Sequence, residues 1–212
     1  MNKQRAFIWD LDGTLIDSYG VIVSSLYKTY KKFGVELVKE DILKEVITTS
    51  VVAFINKTKD LCGLPFETIK ETYSEISLED KDKIRIIPHA KDVLKILSEN
   101  GDRNFLFTHR GESTRTVLEQ LELSEYFQEI ITSKSGLPRK PDPSAILYLI
   151  EKYNLNKETT YYVGDRTIDS ECASNAHIQS IMFLPEYSVA VPTGKENYLV
   201  KDLLDIEKIY WK

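Results

Sequence analysis

The chain has 212 residues, 42% of them hydrophobic and 29% charged, with 28 basic against 33 acidic side chains and a net charge of −5. That is an ordinary composition for a soluble globular protein, and the length suits one packed domain or one domain carrying a smaller insertion. The acidic balance and the lack of a dense Lys/Arg cluster argue against nucleic acid as a partner; no run approaches the roughly 20 apolar residues of a membrane span; and Cys62 and Cys172, far apart and without a CxxC or a nearby His pair, do not make a zinc site.

In chain order, Ala6 to Trp9 is an unbroken apolar run, the pattern of a strand buried on both faces of a parallel sheet, and it stops at Asp10. From about Ser18 the period changes. Val21, Leu26, Tyr30 and Phe33 recur at helical spacing, and Gly34 reads as a helix stop. Asp41 to Ile47, Val51 to Leu61 and Phe66 to Ile76 are further helical stretches, punctuated by Gly63 and Pro65. From Pro88 strands return between helices. The order is helix at Ala90 to Asn100, strand at Asn104 to Phe107, helix at Glu112 to Leu121 and strand at Phe127 to Thr132. Helix at Pro143 to Tyr153, strand at Thr160 to Val163, helix at Ile168 to Asn175 and strand at Ile178 to Leu184 follow. The tail, Tyr198 to Trp211, reads as a last helix over the sheet edge. Such alternation implies right-handed βαβ units. The expected architecture is α/β: a Rossmann-like parallel sheet with helices on both faces, formed by residues 1–16 and 86–212, plus an inserted all-α cap at residues 17–85.

In an open parallel sheet, ligands bind beyond the carboxyl ends of the strands. Those ends carry the unusual residues here. The first strand ends in Asp10 and Asp12, the second in Thr108, and the fourth in Asp165 with Asp169 a turn further on; the loop after the third leads to Lys140. Three carboxylates brought together repel, and a hard divalent cation is the usual resolution. Oxygen-only ligands without a Cys/His cluster point to magnesium rather than zinc. Lys140 adds positive charge for a phosphoryl group and Thr108 a hydroxyl donor. A carboxylate can attack a phosphoryl centre, and a second one two residues later can move the proton.

At this point the sequence resembles the haloacid dehalogenase superfamily, in its phosphatase branch with a helical cap inserted after the first motif. The four motifs stand as Asp10-Leu11-Asp12-Gly13-Thr14-Leu15, Thr108, Lys140 in Lys140-Pro141-Asp142-Pro143, and Gly164-Asp165-Arg166-Thr167-Ile168-Asp169. They occur in order and span nearly the whole chain. The resemblance implies that Asp10 is the nucleophile and a metal ligand. It implies that Asp12 is the general acid/base and binds the metal through its backbone carbonyl. By the same resemblance Asp165 and Asp169 bind Mg2+, Thr108 and Lys140 hold the phosphate, and Lys140 neutralises Asp10. His109-Arg110-Gly111 departs from relatives that carry Asn or Ser and a Lys after the second motif; His109 adjoins the site and is a candidate for substrate contact. The presence of Asp12 speaks against the dehalogenase and phosphonate-cleaving branches.

The expectation is therefore a cytoplasmic, magnesium-dependent phosphatase acting on a small phosphorylated metabolite, such as a sugar phosphate or phosphoglycolate. The four apolar residues after Arg5 are too few for a signal-peptide core. Thr49 and Ser50, in a loop of the inserted segment, are candidates for substrate contact. A phosphomutase of the β-phosphoglucomutase type is the enzymatic alternative, but Ile47 to Val51 carries no Lys or Arg to grip a second phosphate. A catalytically idle binding protein on the same scaffold is the non-enzymatic alternative, and it has no physical need for Asp12 or Lys140. His89 and His177 read as structural.

Overall fold

The computed structural model describes residues 4–186 and 188–210. The chain divides into two compact units, one built from the residues up to Ile16 and from Ile86 onward, the other from Asp17–Arg85.

The first unit is an α/β sandwich of layers. Its elements are β1 (Ala6–Trp9), α5 (Ala90–Glu99), β4 (Arg103–Phe107), α6 (Ser113–Gln120), β5 (Phe127–Ile131), α7 (Ser144–Tyr153), β6 (Thr160–Gly164), α8 (Thr167–Asn175), β7 (Gln179–Phe183), β8 (Tyr198–Val200) and α9 (Ile206–Tyr210). The two-residue strands β2 (Ile16–Asp17) and β3 (Arg85–Ile86) mark where the chain leaves this unit and returns to it. The return is pinned by the Ile87 N–H, which donates to the Leu15 carbonyl at 3.0 Å.

Six strands form one parallel sheet in the order β5-β4-β1-β6-β7-β8. All four residues of β1 are buried, which explains its unbroken apolar run. Trp9 spends its indole N–H on Asn104 Oδ1 at 2.9 Å, so a polar handle is satisfied inside the core. One face packs Ile8, Phe105, Phe107, Ile146, Leu149 and Tyr162 into a contiguous apolar cluster. Burying each such side chain contributes about 1.5–3 kcal/mol. β1 lies between β4, which follows it in the sheet's growth one way, and β6, which begins growth the other way. The crevice beyond the carboxyl end of β1 is therefore the topological switch point, where an open α/β sheet leaves room for a ligand.

The second unit is helical: α1 (Tyr19–Lys32), α2 (Lys39–Thr48), α3 (Val51–Thr58) and α4 (Phe66–Glu79). Gly34 ends α1 with φ +78°, a left-handed conformation that a Cβ would strain. Leu26, Ile42, Ile55 and Ile69, one from each helix, are almost fully buried in a core of their own, with Tyr30 set edge-on to Phe54.

The tail departs from the helix expected over Tyr198 to Trp211. Tyr198–Val200 extends the sheet as β8, paired in parallel with β7. Helix appears only at Ile206–Tyr210, and Trp211 lies outside the described residues. The open edge of β7 supplies hydrogen-bond partners that the three-residue segment cannot find in a helix of its own, and Asp202 then caps the turn at Leu203–Asp205 by accepting from the Leu204 N–H.

Candidate active site

Strand register carries the site residues one position past each strand end. The Asp10 N–H donates to the Val163 carbonyl at 2.8 Å, and the Thr108 N–H to the Ile131 carbonyl at 2.9 Å. Both side chains are thus held by the sheet ladder itself rather than by a free loop. After Asp10 the chain folds into a tight turn: the amides of Thr14, Leu15 and Ile16 all point at the Leu11 carbonyl, and Gly13 takes φ +85°. The turn brings the Thr14 hydroxyl to Asp165 Oδ1, to which it donates at 3.2 Å.

Asp165 and Asp169 come from the β6–α8 junction. Asp169 folds back over the start of its own helix, accepting from the Arg166 N–H at 3.1 Å. Gly164 is required there, because a Cβ on it would lie 2.4 Å from Asp169 Cγ. Lys140, from the β5–α7 loop, is fully buried and bridges Asp10 Oδ1 at 2.8 Å and Asp169 Oδ1 at 2.7 Å. α8 holds that loop: Asn175 donates to the Pro141 carbonyl at 2.9 Å and the Cys172 thiol to the Asp142 carbonyl at 3.3 Å.

The electrostatics follow from this packing. Burial pushes the Asp10 carboxyl up, but the charges of Lys140 and Arg166 outweigh it and hold Asp10 below the usual carboxylate range. Burial dominates at Asp169, with the Asp10 charge in the same direction, and its carboxyl is raised despite Lys140. Burial alone would lower the Lys140 ammonium, yet the two carboxylates it bridges raise it.

One carboxylate oxygen each from Asp10, Asp165 and Asp169 lie within 4.8 Å of one another, all three buried. Asp10 Oδ2 is buried without a hydrogen-bond partner among the described residues. A carboxylate oxygen without a hydrogen bond inside a triad of carboxylates is what a divalent cation would satisfy, and the all-oxygen donor set suits a hard ion.

Of the residues singled out from sequence, Asp10, Lys140, Asp165 and Asp169 meet in this cluster, and Asp12 and Thr108 are joined to each other through Arg110. Sequence reasoning left three participants unassigned. Arg166 is buried, with Nη2 3.5 Å from Asp10 Oδ2. Arg110 forks onto Asp12, its Nε donating to the two carboxylate oxygens at 3.1 and 3.2 Å and its Nη2 also donating to Oδ1. Thr14 orients Asp165. Thr49 and Ser50 belong to the helical unit, where both hydroxyls are in local use: Thr49 donates to the Glu45 carbonyl at 2.7 Å, and Ser50 accepts from the Ala53 N–H at 3.1 Å as the N-cap of α3.

His109 has a structural partner. Its Nε2 accepts from the Lys140 N–H at 2.8 Å, which ties the β4 end to the Lys140 loop and places the ring proton on Nδ1. Burial, followed by the charges of Lys140, Arg139 and Arg166, pushes its pKa down to about 2. The unfolded chain binds a proton here near pH 6.5 while the native state does not, so stability falls as pH drops below that value, by about 1.4 kcal/mol per pH unit. Between about pH 7.5 and 5 the wild type should therefore lose ~2 kcal/mol more than His109→Gln in urea unfolding; parallel losses in the two proteins would refute this.

A haloacid dehalogenase-like hydrolase profile matches residues 7–183. The chain belongs to this family. A phosphoglycolate phosphatase of Agrobacterium fabrum is 32% identical over 181 residues, covering 82% of this chain and 78% of its own. The pyrophosphatase PpaX of Oceanobacillus iheyensis is 26% identical over 208 residues, covering 95% and 94%. Among solved structures, a predicted phosphoglycolate phosphatase from Haemophilus somnus shares the fold with a TM-score of 0.89 at 22% identity, covering 99% of both chains. The chain is thus a haloacid dehalogenase-like phosphatase, and no helix among its described residues is long and apolar enough to cross a membrane.

Proposed function

We propose that this haloacid dehalogenase-like phosphatase is a magnesium-dependent cytoplasmic enzyme that hydrolyses a small phosphorylated metabolite through a phospho-aspartyl intermediate on Asp10. The observation that carries the reading is the triad of buried carboxylates Asp10, Asp165 and Asp169 at the switch point of the sheet, with Lys140 on Asp10 Oδ1 and with Asp10 Oδ2 buried without a hydrogen bond among the described residues. Asp10, Asp165, Asp169 and the backbone carbonyl of Asp12 would hold the ion. When bound, Mg2+ supplies positive charge that lets carboxylates and phosphoryl oxygens share one small space.

Asp10 attacks the phosphorus, the ester P–O bond breaks, and Asp12 gives its proton to the departing oxygen. Asp12 then takes a proton from water, whose oxygen attacks the same phosphorus; the aspartyl P–O bond breaks, and orthophosphate leaves with Asp10 restored. Thr108 can donate its hydroxyl hydrogen to a phosphoryl oxygen, because that hydroxyl already accepts from the Arg110 N–H at 3.1 Å. Lys140 holds a second phosphoryl oxygen while neutralising Asp10. The helical unit of residues 17–85 acts as the cap, with Thr49 and Ser50 as its substrate-side candidates. The relatives' names place phosphoglycolate and pyrophosphate first among substrates to try.

Release of orthophosphate from p-nitrophenyl phosphate and a panel of metabolite esters, abolished by EDTA and restored by Mg2+, is the expected result. Asp12→Asn should slow turnover by ~100-fold or more while retaining metal binding. A purified, magnesium-loaded protein that cleaves no member of the panel would sink the reading, and near-wild-type turnover in Asp12→Asn would remove Asp12 from its role.

A further inference from the structure

We propose that Arg110 selects substrates carrying a second anionic group, exchanging Asp12 for that group when such a substrate binds. The inference rests on the reading of Asp12 as the proton carrier and goes further by assigning the chemical class of the substrate.

Arg110 is built into the site. Its backbone N–H donates to the hydroxyl of Thr108, and its carbonyl accepts from the Ser133 N–H at 3.2 Å. Gly111 lets the Ser133 loop come this close: a Cβ there would meet Ser133 Oγ at 3.3 Å. Ser113 Oγ receives an Nη1 proton at 3.3 Å, which steers the fork. The guanidinium is only 10% exposed and delivers three hydrogen bonds to Asp12. A planar fork of fixed direction, two residues from the phosphoryl-holding Thr108, matches the bidentate geometry of a carboxylate or a phosphoryl group.

Two features turn this ion pair into a statement about substrate. First, Asp12 must reach the leaving oxygen to work, and it cannot do so while three guanidinium bonds hold its carboxylate. Freeing it takes three hydrogen bonds from a largely buried cation, which is costly unless another anion replaces them. A leaving group that is a neutral alcohol offers none. Second, four carboxylates here face three cations, Lys140, Arg110 and Arg166. With a divalent ion the balance becomes positive, whereas without the two arginines it would stay negative. The two arginines are therefore what make the loaded site attractive to an anion. Because Arg110 stands next to Thr108 in the same turn, the second group must lie within a few bonds of the phosphorus.

The test compares kcat/KM for 2-phosphoglycolate (a carboxylate two bonds from the ester oxygen), inorganic pyrophosphate (a second phosphoryl group) and ethyl phosphate (no second anion). Wild-type enzyme should prefer at least one of the first two over ethyl phosphate by about 10- to 100-fold, the size of a charge-assisted interaction with a fixed anion. Which of them is preferred names the source of the anion. Arg110→Gln should erase that preference mainly through KM, and Arg110→Lys, which keeps the charge but not the fork, should restore part of it. If Arg110→Gln slows all three substrates by the same factor, Arg110 only positions Asp12 and the inference falls. An active wild-type enzyme with no preference overturns it without any variant and leaves the phosphatase reading intact. A wild-type enzyme that releases phosphate from nothing fails the phosphatase reading itself.

Discussion

Asp10→Asn should abolish turnover, lowering kcat by on the order of 10^4-fold or more, while the protein stays folded. An amide oxygen has neither the charge nor the nucleophilicity to displace an alkoxide from phosphorus. Loss of the covalent route is not offset by binding energy elsewhere, because in the proposed mechanism Thr108 and Lys140 only hold the group to be transferred. The folded state should tolerate the change. Lys140 keeps its 2.7 Å pair with Asp169, and removing one carboxylate from a buried triad relieves repulsion as well as losing attraction. The variant should still bind Mg2+ through Asp165 and Asp169, with affinity weakened by about tenfold for the missing charge. Steady-state phosphate release, a thermal melt and a magnesium titration on the same preparation check all three parts. Turnover within tenfold of wild type would mean that water attacks the substrate directly and that no phospho-aspartate forms.

How much of this was legible in the sequence depends on how local each signal is. The Ala6 to Trp9 run could only be a strand buried on both faces, and an acid directly after it had to be explained. Strand and helix alternation after Pro88 gave the α/β core for the same reason: periods of 2 and 3.6 are written into consecutive residues. The tail strand was not legible, since Tyr198–Val200 is three residues long and its identity is decided by the edge of β7. Arg110 and Arg166 were visible only as cations beside acids. Their long side chains acquire direction from tertiary contacts, Ser113 and Asp12 for one and the Asp10–Asp169 cluster for the other. Lys140 could be picked out through the family resemblance, but not its second partner, Asp169, which is brought within 2.7 Å by Gly164 giving way to a carboxylate. Thr49 and Ser50 could be picked out as polar residues in a loop, but not their local hydrogen bonds, to the Glu45 carbonyl and from the Ala53 N–H, which depend on where α2 ends and α3 begins.

Lys140→Met should be the most destabilising single change at the site, by ~3–5 kcal/mol at neutral pH, a large share of the ~5–15 kcal/mol that holds a domain together. The lysine is fully buried, so its ammonium is not replaced by solvent when it is removed. Asp10 and Asp169 then face each other without the cation they share, and both carboxyls shift upward relative to wild type. The variant's native state then binds more protons than the wild type's, so the gap between the two narrows as pH falls toward ~5. Magnesium should narrow it as well. An ion bound only by the native carboxylates adds about 2.7 kcal/mol at a hundredfold excess over its dissociation constant, and it supplies the charge the lysine took away. The measurement is urea unfolding of both proteins at two pH values, with EDTA and with Mg2+. If neither protein gains stability with Mg2+, Asp10, Asp165 and Asp169 do not hold a metal, and Lys140 is a structural counter-ion alone. A gap that closes with Mg2+ while phosphate release stays depressed would separate the two proposed duties of Lys140: the ion would replace the lysine in balancing Asp10 but not in holding the phosphoryl group.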